Sequence, residues 1–121
     1  MKKIELKRIY EMPSDSDGYR ILVDRLWPRG VKKEEARLNE WNKDIAPSPE
    51  LRKWFGHKSD RFEEFARHYR MELSNKAAEL EKILAISQTQ NVMLVYAAKD
   101  PKINHAKILL NTLLELHNHK K

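Results

Sequence analysis

The sequence predicts an α/β fold, a three-layer sandwich with a small, mostly parallel or mixed sheet flanked by helices. Residues 1–121 read as a single α/β domain. Three observations predict it. Strand-like segments are interleaved with helix-like ones along the chain. Residues 92–98, V-M-L-V-Y-A-A, are apolar at every position, as a strand covered on both faces requires. That strand then leads directly into a helix-start signal at Asp100-Pro101. A length of 121 residues suits one hydrophobic core.

Residues 4–10 begin with apolar–polar alternation and read as a half-buried strand. Residues 12–18 hold Pro13, Ser14, Asp15, Ser16, Asp17 and Gly18, a turn-rich loop too short for a normal helical crossover. A hairpin to the next strand is therefore expected. That second strand covers residues 19–25 and begins to bury itself at Ile21-Leu22-Val23. Asp24, Arg25, Trp27, Pro28, Arg29 and Gly30 follow at once, so an apolar segment runs out into charged, aromatic and turn residues. Residues 32–37 read as a short helix and 38–45 as a short or edge strand.

Ser48-Pro49-Glu50 is a helix start. Ser48 can cap free N–H groups, Pro49 suits the first turn, and Glu50 favours the positive end of the dipole. The helix is expected to stop at Gly56. Asp60 with Glu63 resembles a capping box. Phe62, Phe65, Ala66, Tyr69 and Leu73 then share one helical face, continued by Ala77, Leu80 and Leu84 after a break at Ser74-Asn75. Residues 88–91 form a polar connection to the apolar strand. In the last helix, expected to be capped by Asp100 with Pro101 in its first turn, Ile103, Ala106, Leu109, Leu110, Leu113 and Leu114 face the core. Residues 117–121 are a frayed basic end.

With no cysteine, disulfides, thiolate metal sites and a cysteine nucleophile are excluded. The same absence is compatible with a cytoplasmic location, and the N-terminus lacks the apolar stretch of a secretory signal. No apolar run is long enough to span a membrane. The formal charge of +6 favours an acidic or phosphate-bearing partner. The excess is divided evenly between the two halves of the chain. A nucleic-acid binder more often gathers it on one segment, so nucleic acid is the less favoured partner. No cofactor is implied, since neither a phosphate-binding loop nor a dinucleotide fingerprint is present. His117 and His119 lack the matched acid cluster of a metal site.

Four blocks together carry a resemblance: V-D-R-L-W-P-R-G at 23–30, W-N-K-D-I-A-P-S at 41–48, E-L-R-K-W-F at 50–55, and V-Y-A-A-K-D with N-H-A across 95–106. The chain resembles the YeaO-like bacterial proteins, a branch of domain of unknown function 488. The resemblance covers nearly the whole chain. It implies a compact cytoplasmic α/β domain with a polar cluster at strand ends, and no assigned function. Other branches of the wider group carry a Cys-His-Arg triplet where this chain has Asn104, His105 and Ala106, so thiol chemistry does not carry over.

In open α/β sheets ligands bind beyond the carboxyl ends of the strands. If the second and last strands are parallel neighbours, their polar ends share one crevice. Arg25 and Arg29 could then fork a phosphate or carboxylate; alternatively, one pairs with Asp24 and the other closes a loop. Trp27 or Tyr96 could stack on a ring, although Trp27 equally suits a lid over the core. Ser48 reads first as a cap, on a helix end that could also receive an anion. Trp54 is expected to face the core. Asp100, Asn104 and His105 follow the apolar strand. Asp100 and His105 could supply acid–base function with Asp24 orienting the ring, against a plain reading of a cap and a half-exposed helical histidine.

The leading expectation is a small cytoplasmic protein binding an anionic small molecule at strand carboxyl ends, with catalysis open. The alternatives are a nucleic-acid-binding module and a structural or adaptor protein. The sequence assigns no oligomeric state.

Overall fold

The computed structural model describes residues 1–119. Four strands, β1 (Ile4–Arg8), β2 (Tyr19–Leu22), β3 (Glu40–Trp41) and β4 (Val92–Tyr96), form a sheet in the order β1-β4-β2-β3. Every pairing is parallel. The fully apolar segment takes an interior place, with a strand on either side and packed layers above and below. No residue of β4 is more than 8% exposed.

The hairpin expected between β1 and β2 does not form, because β4 lies between them. Residues 9–18 instead return along the sheet to start β2 parallel to β1. Five strand residues cover roughly 17 Å, a distance a ten-residue connection can retrace. The return is held by a Ser14–Asp17 capping box around the turn Asp15–Asp17. It is pinned further by the buried Asp17 carboxylate, which accepts from Lys7 at 2.8 Å and from Arg20 at 2.7 Å. Arg20 also donates through Nε and Nη2 to the Ala36 carbonyl, at 3.1 and 2.9 Å. One buried guanidinium thus joins the return loop to α1 (Lys33–Ala36).

The helices are α1, α2 (Pro49–Phe55), α3 (Phe62–Ser74), α4 (Ala77–Ser87) and α5 (His105–His119). Ile21, Val23, Val92, Leu94 and Tyr96 point to one sheet face and pack with buried residues of α2 to α5. Leu22, Met93 and Val95 point to the other face, under Ile9, Ala36, Trp27 and Trp41. The sheet is therefore flanked on both sides, thickly by four helices and thinly by α1 and loops.

Ser48 caps α2 through the Leu51 N–H, and Gly56 ends it at φ 54°, as the sequence predicts. The break between α3 and α4 also falls where expected. Three local expectations are corrected. The Asp60–Glu63 box does not form, because Asp60 lies inside the 3-10 turn Ser59–Arg61 and Arg61 occupies the cap position without a side-chain bond. Leu51 and Phe55 fill the inward stripe of α2, which leaves Trp54 exposed with the Arg61 guanidinium 5.2 Å above its ring. Asp100 does not cap α5. Its Oδ1 accepts from Lys102 and Ile103 N–H groups in a separate turn, and the helix starts at His105 under an Asn104 cap. The expected frayed end is helical to His119, and Lys120 and Lys121 lie outside the described residues.

Candidate functional site

β2 and β4 pair in parallel, so the residues beyond their carboxyl ends emerge side by side. The paired strands stop at Leu22 and Tyr96, earlier than the sequence suggests, and the polar clusters begin there. A cleft of about 550 Å³ opens at this edge. Residues 24–28, 97–100 and 103–105 line it from the strand ends. The segment before α2 contributes Ala46 and Pro47, and the end of α2 with its following loop contributes Arg52, Phe55, His57 and Ser59.

At the strand ends, Asp24 and His105 meet. His105 Nε2 is 2.9 Å from the Val23 carbonyl and 3.1 Å from Asp24 Oδ1. A carbonyl only accepts, so Nε2 carries a hydrogen and Nδ1 is the nitrogen without a protein partner. Asp24 Oδ2 accepts from the Ala97 N–H at 3.0 Å, tying the end of β2 to that of β4. Oδ1 is the one buried side-chain polar atom among the described residues with no hydrogen bond of its own. Its neighbour is the imidazole, whose hydrogen is directed at the carbonyl.

Tyr69 supports this pair. Its ring meets His105 edge-on at 6.1 Å, and its hydroxyl donates to the Ile45 carbonyl at 2.6 Å. Burial pushes that hydroxyl well above its ordinary value of 10.0, with the Glu72 and Asp24 charges adding and Arg25 opposing. It stays a neutral donor at physiological pH.

Arg25 lies along the cleft and donates through Nε to the Pro47 carbonyl at 3.1 Å and through Nη2 to the Ala46 carbonyl at 3.2 Å. It does not pair with Asp24 in a salt bridge. Trp27 lines the cleft too. Its indole N–H is spent on the Val31 carbonyl at 2.8 Å, and its ring meets Trp41 at 5.3 Å, so it combines the lid and an open ring surface. Asn104 is buried, with Nδ2 on the Asp100 carbonyl and Oδ1 on the Lys107 N–H. Asp100 is at the rim. The Lys102 and Ile103 N–H groups hold its carboxyl below the ordinary 3.8, against a smaller opposing effect of desolvation.

Three residues expected at the site lie outside the cleft. Tyr96 is buried in the core, where burial raises its hydroxyl above the ordinary value. Ser48 lies in a shallow groove between α2 and α3, and donates its hydroxyl to Glu72 at 2.6 Å while capping α2. Arg29 is exposed on the loop after Pro28, where its carbonyl accepts from Tyr10.

Sequence reasoning missed Arg52, His57, Phe55 and Phe65 as cleft residues. Arg52 and Phe55 are read locally as ordinary positions of a short helix. His57 carried one signal, its place after the helix-ending Gly56, and it adopts a left-handed φ of 58°. Phe65 belongs to the core stripe of α3 and reaches the cleft only because α3 packs on α2.

A parallel sheet with helices on its faces and a cleft at its carboxyl ends defines the class as an open α/β protein. Within that class the chain belongs to the inactive DUF488-N3 subclade, whose family model matches residues 3–121. It is 44% identical over 113 residues to the uncharacterized protein YeaO of Escherichia coli strain K12, across 93% of this chain and 98% of that one. It is 40% identical over 111 residues to the uncharacterized protein Rv3073c of Mycobacterium tuberculosis, across 92% of this chain and 93% of the relative. The uncharacterized protein Mb3100c of Mycobacterium bovis matches with the same figures. No solved structure matches the chain. Among the described residues no helix is long and apolar enough to cross a membrane.

Proposed function

We propose that the cleft binds an anionic small molecule and that binding, not turnover, is its function. The observation carrying this reading is how the charges around the cleft are used. The Asp24 and Asp100 carboxylates are both tied to backbone N–H groups. Arg52 and Lys99 are exposed at the rim, and their side chains make no hydrogen bond or ion pair with the described residues. Arg25 adds a third permanent cation, fixed in place by two carbonyls. Uncommitted cations beside carboxylates each tied to the backbone through one oxygen favour an anion.

His105 offers Nδ1 to the ligand. The neutral ring accepts a hydrogen bond there, and the imidazolium donates one to an anion. The Val23 carbonyl orients the ring with Asp24 beside it, and any acid–base role rests with the Asp24–His105 pair. Asp100 is held ionised and is a poor proton donor at neutral pH. The designation of the subclade as inactive supports binding over catalysis. So does Asn104, an amide committed to capping α5. We place the protein in the cytoplasm, compatible with its cysteine-free sequence, and cell fractionation checks this.

The test is a thermal-shift and calorimetric screen of phosphate- and carboxylate-bearing metabolites, since a ligand bound only by the folded state raises the midpoint. Arg52→Ala and Lys99→Ala should each weaken binding about tenfold without lowering the unliganded midpoint. A screen in which no anion raises the midpoint, or binding indifferent to both substitutions, rejects the reading.

A further inference from the structure

Resting on that reading, we infer that the ligand is an amphiphilic organic anion, a phosphate or carboxylate head on a flat apolar body, with Leu26 and Trp27 receiving the body. The cleft is chemically divided. Apart from the Ser59 hydroxyl and Asp24 Oδ1, its free polar groups are basic: Arg52, His57, Lys99 and the Nδ1 edge of His105. The apolar part is built differently. The one polar atom of the Trp27 side chain is spent on the Val31 carbonyl, so this residue offers the cleft only ring surface.

Leu26, its neighbour at the rim, is 57% exposed. Exposure of a large aliphatic side chain beside an open indole, within a concave site, is explained if a ligand covers both. An inorganic ion would leave that surface wet, and a neutral ring would leave the cations unused. The cleft volume of about 550 Å³ lies within the range of small-molecule sites. It accommodates a ring with a charged substituent and is far larger than a bare phosphate requires.

His57 belongs to the same recognition surface. Its backbone φ of 58° is one that a residue with a side chain rarely adopts, and the preceding Gly56 shares it at 54°. Two successive left-handed residues turn the chain back after α2, and the His57 ring comes to 5.9 Å from Phe55 at the cleft wall. A protonatable ring against an apolar wall suits the junction between charged head and apolar body.

Four probes titrated into the intact protein test this, followed by calorimetry and by amide chemical shifts of the cleft residues: phenyl phosphate, phenylacetate, inorganic phosphate and phenol. An amphiphilic anion is expected to bind roughly tenfold or more tighter than inorganic phosphate, the factor that burial of a ring supplies. The tighter of phenyl phosphate and phenylacetate identifies the head group. Leu26→Ser, at an exposed position that the fold does not need, should remove much of this advantage while leaving the affinity for inorganic phosphate unchanged. Equal binding of phosphate and phenyl phosphate would overturn the apolar-body inference and leave the anion reading standing. Phenol binding as tightly as phenyl phosphate overturns the anion reading itself. Silence from all four probes overturns both.

Discussion

Asp17 and Asp24 are two carboxylates near cationic or ionisable side chains, and their surroundings give them different work. Burial alone would raise the Asp17 carboxyl, but hydrogen bonds from Lys7, the Ser14 N–H and Arg20 outweigh it and hold the carboxyl below 3.8. A lowered folded value means that the stabilisation is fully present above the unfolded value near 3.8. It is lost as pH falls below that through the folded value. Wild-type protein should therefore lose stability in this acidic window, whereas Asp17→Asn should be flatter there. The variant should also be about 3 kcal/mol less stable at neutral pH, because it leaves Arg20 buried without its counter-charge. Denaturant titrations at several pH values check both points, and a variant as stable as wild type at pH 7 would contradict them. Asp24 has no comparable set of side-chain donors; it sits between the Ala97 N–H and His105. Asp17 has local partners on both sides, the Ser14 N–H three residues before it and Arg20 three residues after it, and the fold adds Lys7.

The segments joining strands to helices carry most of what positions the site. Asn104 caps α5 through the Lys107 N–H at 2.9 Å and ties back to the Asp100 carbonyl at 2.7 Å. Asn104→Ala should cost about 1 kcal/mol of stability by denaturant unfolding. Because His105 follows directly, its imidazole resonances should shift as well; unchanged resonances would separate the cap from the site. Gly18 leads into β2 at φ 75°, and a Cβ there would run into the Asn91 backbone carbonyl that accepts the Tyr19 N–H. Gly18→Ala is expected to lose about 2 kcal/mol or more. A midpoint within a degree of wild type would show that the return loop adapts. The helix start at Ser48-Pro49, the stop at Gly56 and the α3–α4 break were legible because each depends on residues within one or two turns. The start of α5 was misplaced because Asp-Pro is an equally good signal for the turn that precedes the helix.

At the level of the molecule, β4 organises the core, and Leu94 lies at its centre with no exposure. Leu94→Ala should cost about 3 kcal/mol, and the loss should appear together in near- and far-ultraviolet circular dichroism if the chain unfolds cooperatively. Loss of the near-ultraviolet signal alone would mean that the two layers uncouple. By itself the sequence determined the fold class, the apolar strand, most helices and the polar clusters at the ends of β2 and β4. Those features are set by periodicity and capping among residues close in the chain. Only the tertiary structure decided that β4 separates β1 from β2. The same holds for the burial of Tyr96, the exposure of Trp54, and the gathering of Arg52, His57 and Phe65 on one cleft. Each of these depends on strand order and helix packing between residues far apart in sequence, and local pattern does not encode that order.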